Sequence, residues 1–591
     1  MTTRSGVAEA TDHRIPILAA VVAAAALLVY SGAIHPAFVA DDWGHVGEWA
    51  WSRREGLYLR PVVDASFWFD RTAYGLDSAR GFHVTNMVFH ALNGVLVYLL
   101  VIELGRDGRG RARERDLHLL AGLGGLLYVT LSGHANAVSW VVGRGDVVAT
   151  FFVLCSFWLY LRYRPAGGLA LLLLSLGSYQ VAVFSKESVL TWPLALLAYE
   201  ACLLVLSPRP GSPAQRARSL LAPLTFLVPL AIHVVVREAL AIRNSAELSG
   251  IDAARLAPRS FDHLVRSLFP APALREIPSS VLGNHAVQLA VLGLLAAVLG
   301  LWYLRTDRTD HIPARTLALA AVFFAVLVPP SQKKVDLVNT DLGSRLNYLP
   351  SAFVVIGVAL AVLRLWSRST SWRAGSVAVI GSLIVMNTIA LVRLNQDWRA
   401  AGDVTESVLD ELARLSREDE STLLVVGLPD RIGDAYVFRN GFRSAVQRAG
   451  IEDTHLVALN DGMEQPKEHP RNRVDVEPDG DALLFTTAFP RWLRLADREP
   501  VFETDPVNPS SFRLSARAGT RIVVYSQGVL RDARLPETHD VVRTRCGPCA
   551  AARRSDATAA DRRVKGSTAG RRRRCARARG RTRRTPRGPR S

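Results

Sequence analysis

Residues 14–43 read RIPILAAVVAAAALLVYSGAIHPAFVADDW, an apolar run that is followed by a short turn and two adjacent acids. The run from Ile15 to Ile34 is long enough to cross a bilayer as a helix. Asp41 and Asp42 repel each other and favour hydration, so we expect them at a membrane surface. Amphipathic rings that suit the headgroup zone follow at Trp43, Trp49, Trp51 and Tyr58.

Similar apolar runs recur along a chain that is 49% hydrophobic. One soluble domain does not contain so many long apolar runs. The pattern therefore predicts an α-helical polytopic membrane protein with about eleven transmembrane helices. We expect no cleavable signal peptide, because the first run lacks a small-residue cleavage site. The candidate spans are 15–34, 84–103, 117–131, 146–161, 168–184, 188–206, 219–237, 284–304, 314–330, 349–363 and 374–393.

Arginines are concentrated in alternate short loops between these spans. The positive-inside rule makes their side cytoplasmic, which predicts a multi-pass protein of the plasma membrane. The N-terminal residues 1–14 are then cytoplasmic, and the outer loop 35–83 carries the acidic pair on the extracytoplasmic side. The arginine-bearing loops are 104–116, 162–167, 207–218, 305–313 and 364–373.

The transmembrane part is predicted to end at residue 393, and residues 394–542 differ in character. Helical patterns cover about 404–416 and 440–449, and turn signals separate short apolar runs of strand type. This pattern predicts a small extracytoplasmic domain of α/β or α+β type. The strand-like runs are Leu423–Val426, Ala482–Thr486 and Arg521–Tyr525.

The last segment, 543–591, holds 18 of the 71 Lys and Arg residues and 2 of the 53 Asp and Glu residues. It therefore carries +16 of the net charge of +18, and the rest of the chain is not a basic nucleic-acid binder. Low apolar content predicts a disordered, dispensable tail. Its Cys546-Gly-Pro-Cys549 pattern lacks the strand-to-helix setting of a redox site, so we predict no redox role.

Five polar clusters fall at the predicted outer ends of spans. Ionisable residues at membrane depth are costly, which makes them functional candidates. Their convergence on one face predicts a single outer active site. Besides the acidic pair, the clusters contain Arg60 with His83, Asn86 and His90; His134 with Arg144 and Asp146; Lys186 with Glu187; and Lys333-Lys334 with Arg345 and Tyr348.

After the acidic pair come YLRPVVDASFWFD (58–70), GFHVTNMVFHALNGVLVYLL (81–100), HANAVSWVVGRGDVVATFFVL (134–154), FSKESVLTWPLALLAYE (184–200) and SRLNYLPSA (344–352). In this order the pieces resemble the polytopic C-type glycosyltransferases over about residues 15–400. The resemblance is greatest to protein O-mannosyltransferases and to the transmembrane O-mannosyltransferases that carry tetratricopeptide repeats. This chain shows no such repeat, which weakens the case for protein acceptors.

The resemblance implies a GT-C-like fold and inverting transfer of a sugar, with mannose favoured, from a polyprenyl-phosphate donor to an extracytoplasmic hydroxyl. Such chemistry needs a carboxylate that takes the hydroxyl proton and cations that hold the leaving phosphate. Family placement favours Asp41 as the base, with Asp42 as its alternative; both acids could instead cap a helix or mark the interface. For the phosphate the candidates are Arg345, Lys186 and Arg144.

Substrate-positioning candidates are Arg60, His83, Asn86, His90, His134, Glu187 and Tyr348. His83 and His90 lie two helical turns apart with Asn86 on the same face. This spacing leaves helix–helix hydrogen bonding, substrate positioning or a divalent metal open. We assign no metal ligand and no cofactor beyond the lipid-linked donor. Simple ion pairs of Lys186 with Glu187 and of Arg144 with Asp146 are also open.

The implied partners are the lipid-linked sugar, membrane lipids and an acceptor that is a protein, a polysaccharide or a glycolipid, without nucleic acid. The Ala- and Arg-rich composition is typical of a GC-rich bacterial gene and suggests a cell-envelope role. Two other functions compete with the glycosyltransferase. One is a non-catalytic scaffold for envelope assembly. The other is a transporter or flippase of lipid-linked glycans, for which matching halves are expected and none is seen.

Overall fold

The computed structural model describes residues 14–46, 58–106, 111–206, 213–242, 252–306, 310–333, 336–366, 368–418, 422–439, 441–451, 456–461, 474–479, 482–487, 493–495, 503–508, 511–515, 520–526 and 529–533. All of them belong to one compact unit, Met1–Pro536. The predicted tail 543–591 with its three cysteines lies outside the described residues, and so do Trp49 and Trp51.

Helices dominate the described part of the chain. In order they are α1 (Arg14–Tyr30), α2 (Asp42–Val46), α3 (Pro61–Tyr74), α4 (Arg80–Gly105), α5 (Arg111–Thr130), α6 (Ala135–Val138), α7 (Arg144–Ala166), α8 (Leu169–Val183), α9 (Trp192–Leu206), α10 (Pro213–Thr225), α11 (Leu227–Ala239), α12 (Ala253–Arg266), α13 (Ala271–Arg275), α14 (Ser279–Leu282), α15 (His285–Leu304), α16 (Ile312–Ser331), α17 (Tyr348–Trp366), α18 (Thr370–Glu418) and α19 (Phe442–Arg448).

Each of the eleven predicted spans falls on helical residues. Within the described ranges, nine helical segments are long and apolar enough to cross a membrane. A tenth candidate joins Glu114–Thr130 to Ser132–Val138 with a bend of 51°. The remaining predicted span is α8, which is apolar but has only 15 residues. The α-helical polytopic fold is confirmed, with nine or ten such spans where about eleven were predicted.

Close helix contacts position the first span. A Cβ on Gly94 of α4 would lie 2.3 Å from Val129 Cγ1 and 2.9 Å from Val22 Cγ1. A Cβ on Gly125 of α5 would lie 3.0 Å from Val22 Cγ2. Glycines of this kind let helix backbones approach closely in a membrane bundle. Helix α1 is therefore held against α4 and α5, and the acidic pair that follows α1 has a fixed position.

Contacts between loops define one end of the bundle, here called the basic end. Arg162 Nε lies 3.4 Å from Glu103 Oε2, and Arg364 Nε lies 2.6 Å from Asp310 Oδ2. Arg315 Nη1 donates to Leu104 O at 2.5 Å. These contacts bring four of the five arginine-bearing loop regions together, as alternate loops of a bundle require. That the basic end faces the cytoplasm stays a prediction.

The C-terminal part continues directly from the last span. Helix α18 has 49 residues, so the predicted boundary at residue 394 lies inside a continuous helix. The strands are β1 (Thr422–Leu428), β2 (Arg431–Ile432), β3 (Ala435–Tyr436), β4 (Leu456–Asp461), β5 (Val474–Asp479), β6 (Ala482–Thr487), β7 (Leu493–Leu495), β8 (Glu503–Asn508), β9 (Ser511–Ser515), β10 (Thr520–Ser526) and β11 (Val529–Asp532).

These strands form three sheets. The largest has the order β11-β10-β1-β4-β7, in which β1 is parallel to β10 and β4. An antiparallel sheet has the order β5-β6-β9-β8, and β2 pairs with β3. The three predicted strand runs lie in β1, β6 and β10, which confirms them. The helical pattern predicted over 440–449 corresponds to α19.

The C-terminal part docks on the acidic turn, the segment that contains Asp41 and Asp42. Ala40 N donates to Val437 O at 2.6 Å, and Val437 N donates to Asp430 O at 3.0 Å. Gly441 lies so close that a Cβ would come within 1.7 Å of Ala40 O. The strand region therefore packs directly on the turn that follows the first span.

We predict that Gly441→Ala loosens this docking. The added methyl group must displace the backbone of Ala40, and overpacking of this kind typically costs about 1–3 kcal/mol. The measurement is the midpoint of thermal unfolding of the purified chain. Gly44→Ala is the matched control, because a Cβ there meets nothing within 4 Å. Equal midpoints for the two variants would contradict the close contact.

Candidate functional site

The structure gives the two acids different environments, beginning with Asp42. Its side chain is 0% exposed, and Oδ2 accepts from Val39 N at 3.0 Å while Oδ1 accepts from Val142 N at 2.9 Å. Burial raises the pKa of Asp42 to about 8, although these two N–H donors and Arg144 oppose the rise. Asp42 therefore joins the acidic turn to the segment before α7, with no part of its side chain exposed.

Asp41 is partly exposed and follows a strained residue. Ala40 has φ of 49°, in the left-handed region that a side chain disfavours, and its N–H is held by Val437. Asp430 of the C-terminal part lies near this turn, because Val437 accepts from Ala40 N and donates its own N–H to Asp430 O. Burial raises the pKa of Asp430, and the carboxylate of Asp41 raises it further. The accessible acid of the pair thus lies between the bundle and the C-terminal part.

Arg144 was predicted as a phosphate ligand, but it is 0% exposed and fully engaged. Its Nη2 lies 2.5 Å from Asp70 Oδ2 and donates to Phe82 O at 2.8 Å. Its Nε donates to Asn86 Oδ1 at 2.7 Å, and Nη1 donates to Ser66 Oγ at 3.3 Å. Arg144 is a structural residue that ties α7 to α3 and α4, and its pairing with Asp146 is wrong.

Asn86 completes this buried arrangement. Its Nδ2 donates to the carbonyls of Val138, Trp140 and Val141 at 3.0–3.3 Å. The side chain thereby holds the segment that leads into α7. Its contacts are structural, and they explain why a polar residue is buried in α4.

A cationic cluster, defined as Arg60, Lys186 and Arg345, lies beside the start of α7. Lys186 Nζ lies 2.5 Å from Asp146 Oδ2, and its Cδ would lie 3.6 Å from a Cβ on Gly145. Burial lowers the pKa of Lys186 to about 8; Asp146 opposes this, while Arg345 and Arg60 lower it further. Arg60 lies near Lys186 because it pairs with Glu187, the next residue in the chain.

The ion pairs of this cluster differ from the sequence interpretation. Arg60 Nη2 lies 2.7 Å from Glu187 Oε2, and Arg60 Nε donates to both Glu187 oxygens. Lys186 is therefore paired with Asp146, and the predicted alternative of a pair between Lys186 and Glu187 is wrong. The reason is that the turn after α8 directs the two neighbouring side chains to different partners.

Arg345 is the free member of the cluster. It is half-buried, and its guanidinium carbon lies 4.7 Å from the centre of the Trp140 ring. Within the described ranges it makes no hydrogen bond and no ion pair. Trp140 packs in one apolar cluster with Val39 and Ala40. Arg345 therefore connects the cationic cluster to the acidic turn and keeps its donors available.

His90, His134 and Tyr348 lie together inside the bundle and are at most 1% exposed. His90 Nδ1 and Tyr348 Oη are 2.6 Å apart, and His134 Nε2 and Ser351 Oγ are 2.8 Å apart. The His134 and Tyr348 rings have centroids 4.4 Å apart. These contacts are helix–helix hydrogen bonds and ring packing inside the bundle, and a substrate-positioning role for the three residues stays a prediction.

His83 is also buried, and its ring packs against His35 with centroids 4.5 Å apart. Burial lowers the pKa of His35 to about 4, which keeps that ring neutral. In the described part of the chain, no group of three or more His, Cys, Asp or Glu side chains could hold a metal ion.

Sequence reasoning missed Asp70, the partner of Arg144. A signal was present, because Val63, Phe67 and Asp70 share one face of α3 at helical spacing and all three are buried. An acid on an otherwise apolar face needs a buried cation. Asp430 was missed as well, since no local pattern predicts that it lies near Asp41.

No family profile matches the chain. A protein O-mannosyl-transferase from Caenorhabditis elegans is 24% identical over 169 residues, which are 28% of this chain and 22% of that relative. This match confirms the resemblance to C-type glycosyltransferases that the motifs indicated. Because less than a quarter of the relative is matched, its activity is not transferred here.

Solved structures of the oligosaccharyltransferase from Archaeoglobus fulgidus are similar in part. The complex with Zn and sulfate has a TM-score of 0.40 and 12% identity over 75% of this chain and 68% of that chain. The form tethered to an acceptor peptide also has a TM-score of 0.40, with 12% identity over 76% and 69%. At this TM-score the likeness decides neither the family nor the activity.

We predict that Asp70→Asn strongly destabilises the chain, because it leaves the buried Arg144 cation without its counter-charge. Breaking one partner of a buried pair typically costs about 3–5 kcal/mol. The measurement is the loss of folded, monodisperse protein on heating. Glu411→Gln is the control, since its pair with Arg414 is exposed and worth at most about 1 kcal/mol. Equal losses for both variants would contradict the structural role of the pair.

Proposed function

We propose that this chain is an integral membrane glycosyltransferase that moves a sugar from a polyprenyl-phosphate donor to an acceptor hydroxyl, with inversion. The observation that carries the proposal is that the partly exposed Asp41 and the unengaged guanidinium of Arg345 are linked through one packed residue. Trp140 contacts Arg345 and shares an apolar cluster with Val39 and Ala40, which precede Asp41. The partial match to a protein O-mannosyl-transferase supports the same reaction class.

Asp41 is the proposed base. Its carboxylate takes the proton of the acceptor hydroxyl while the hydroxyl oxygen attacks the anomeric carbon. The bond between that carbon and the phosphate oxygen breaks, and the polyprenyl phosphate leaves with the bonding electrons. Asp42 is excluded from this role by its burial, and it instead fixes the position of its neighbour.

Arg345 and Lys186 are proposed to hold the phosphate, with Arg60 close by. Guanidinium groups present parallel N–H donors that match phosphate oxygens, and an ammonium adds a point charge. Such cations stabilise the negative charge that develops on the leaving group. The cluster lies at the ends of apolar helices, where the phosphate of a lipid carrier would be found.

The proposed site faces the extracytoplasmic side of a plasma membrane, opposite the basic end. The acceptor hydroxyl would approach Asp41 from beside Asp430, which places the C-terminal part next to the acceptor. The acceptor class is then a protein, a polysaccharide or a glycolipid of the cell envelope. Mannose is the sugar to test first.

We predict that Asp41→Asn abolishes sugar transfer while the chain still folds, because the side chain is partly exposed and the amide of the same size cannot take up the hydroxyl proton. Asp42→Asn should lower the midpoint, since an amide cannot accept from both Val39 N and Val142 N. The measurement combines thermal unfolding with transfer from radiolabelled polyprenyl-phosphate mannose by membranes of expressing cells.

The same two variants are then placed in the producing strain, and its lipid-linked sugars are analysed. Accumulation of one donor in the Asp41→Asn strain identifies the sugar if mannose is not transferred in vitro. Wild-type transfer by purified Asp41→Asn would show that Asp41 is not the base. A strain with unchanged lipid-linked sugars and unchanged glycans would contradict the enzyme proposal itself.

We predict that donor use declines as the pH rises through about 8, because Lys186 loses its charge there. The pKa of this lysine is lowered by burial, so the cationic form dominates below that pH. Lys186→Arg keeps the charge at higher pH and should move the alkaline decline upward by at least about one pH unit, since arginine has a pKa above 12. The measurement is the apparent KM for the donor against pH.

Asp42 also has a pKa of about 8, so the Lys186→Arg variant is needed to assign the alkaline decline in donor use to Lys186. Arg305→Gln is a neutral control at the basic end. A pH profile of Lys186→Arg that matches the wild type would exclude Lys186 as the titrating group.

A further inference from the structure

A second polar cavity lies at the basic end of the bundle, away from the candidate site. It has a volume of about 440 Å³. Helix α7 contributes Tyr160 and Arg164, α9 contributes Tyr199 and Glu200, and the rim includes Arg218 and Arg315. Arg144 and Arg164 lie 20 residues apart on α7, which corresponds to roughly 30 Å at 1.5 Å per residue. The cavity is therefore a separate site.

Two neighbouring buried residues line the cavity: Glu200, whose charge is balanced by Arg164, and Tyr199, whose hydroxyl has no partner among the described residues. Glu200 is 0% exposed; its Oε1 lies 2.5 Å from Arg164 Nε, and it accepts from Tyr160 Oη at 3.0 Å. Tyr199 is also 0% exposed, and its hydroxyl has no hydrogen-bond partner among the residues that the structure describes. A buried hydroxyl without a partner is costly, which indicates that a ligand supplies one.

The rim provides guanidinium donors that the protein does not use. Arg315 donates only through Nη1, to the carbonyls of Leu104 and Arg106. Arg218 makes no hydrogen bond or ion pair within the described ranges, and its Nη1 would lie 2.9 Å from a Cβ on Gly167. Two guanidinium groups thus face the same opening with free N–H groups.

We infer that this cavity binds a phosphate group, with Arg218, Arg315 and the Tyr199 hydroxyl as donors. The lining contains four arginines and two glutamates, a net charge of +2 with histidine neutral. Its volume lies in the range of about 300–1,000 Å³ typical of small-molecule sites. Arginine forks match phosphate oxygens in pairs. Phosphate binding in this cavity is inferred independently of the proposed sugar transfer.

Phosphate at this position can come from the headgroup of an anionic membrane lipid or from a free phosphate anion. The basic end lies where the apolar spans stop, which is the depth of lipid headgroups. A ligand there would bridge α9, α10 and α16. It would stabilise the bundle in proportion to its occupancy, as any ligand of the folded state does.

The test is thermal unfolding of the purified full chain titrated with dioctanoyl phosphatidylglycerol, dioctanoyl phosphatidylcholine or inorganic phosphate. We expect phosphatidylglycerol to raise the midpoint in the wild type. In the double variant Arg218→Gln/Arg315→Gln, the concentration needed for the same rise should increase by at least about tenfold, which is 1.4 kcal/mol. Arg218→Gln alone should give a smaller increase, and it retains the Arg315 contacts that support folding.

Arg305→Gln is the matched control, because this exposed arginine at the basic end does not line the cavity. A rise with phosphatidylglycerol alone assigns the ligand as a lipid headgroup, and an equal rise with inorganic phosphate assigns a free anion. An absence of any rise in the wild type would overturn the inference. So would equal titrations for the wild type and Arg218→Gln/Arg315→Gln.

Discussion

The hydrogen bonds of Asp42 are the constraint on which the rest of the polar end depends. A carboxylate buried between Val39 N and Val142 N joins the turn after the first span to the segment that begins α7. In the first turn of α7, Arg144 forms an ion pair with Asp70, and Asp146 forms an ion pair with Lys186. If the turn moved, the buried charges around α7 would lose their alignment, and each unpaired charge would cost several kcal/mol, on the order of 3–5.

This arrangement separates structural charges from reactive ones. Asp42, Asp70 and Arg144 are fully buried and hydrogen-bonded or ion-paired, which makes them rigid and inaccessible. Asp41 and Arg345 differ, because the first is partly exposed and the second has no ion pair among the described residues. A site that must take up a proton and release a phosphate needs accessible groups held by a rigid support. The C-terminal part adds to that support through its hydrogen bond to Ala40.

Local patterns predicted the helices and the separation of charge between the two ends. Spans such as α1 and α15 are long, almost uniformly apolar runs, so length and hydropathy suffice to predict them. The strand runs in β1 and β10 were equally visible. The ion pairs were not predictable from local sequence. Lys186 pairs with Asp146 and its neighbour Glu187 pairs with Arg60, and these two partners are far apart along the chain. The 49-residue α18 was also divided too early, since its amphipathic second half resembles the start of a domain.

The sequence by itself determined that the chain is a polytopic helical membrane protein with a strand-containing C-terminal part. Apolar length and periodicity are local properties, and they leave no competing fold class. Only the tertiary structure decided that Asp42 is a buried clamp and Asp41 the accessible acid. It also decided that Arg144 is structural and Arg345 available. Burial and partner choice are set by residues distant in sequence, and two adjacent aspartates look alike until the fold supplies their surroundings.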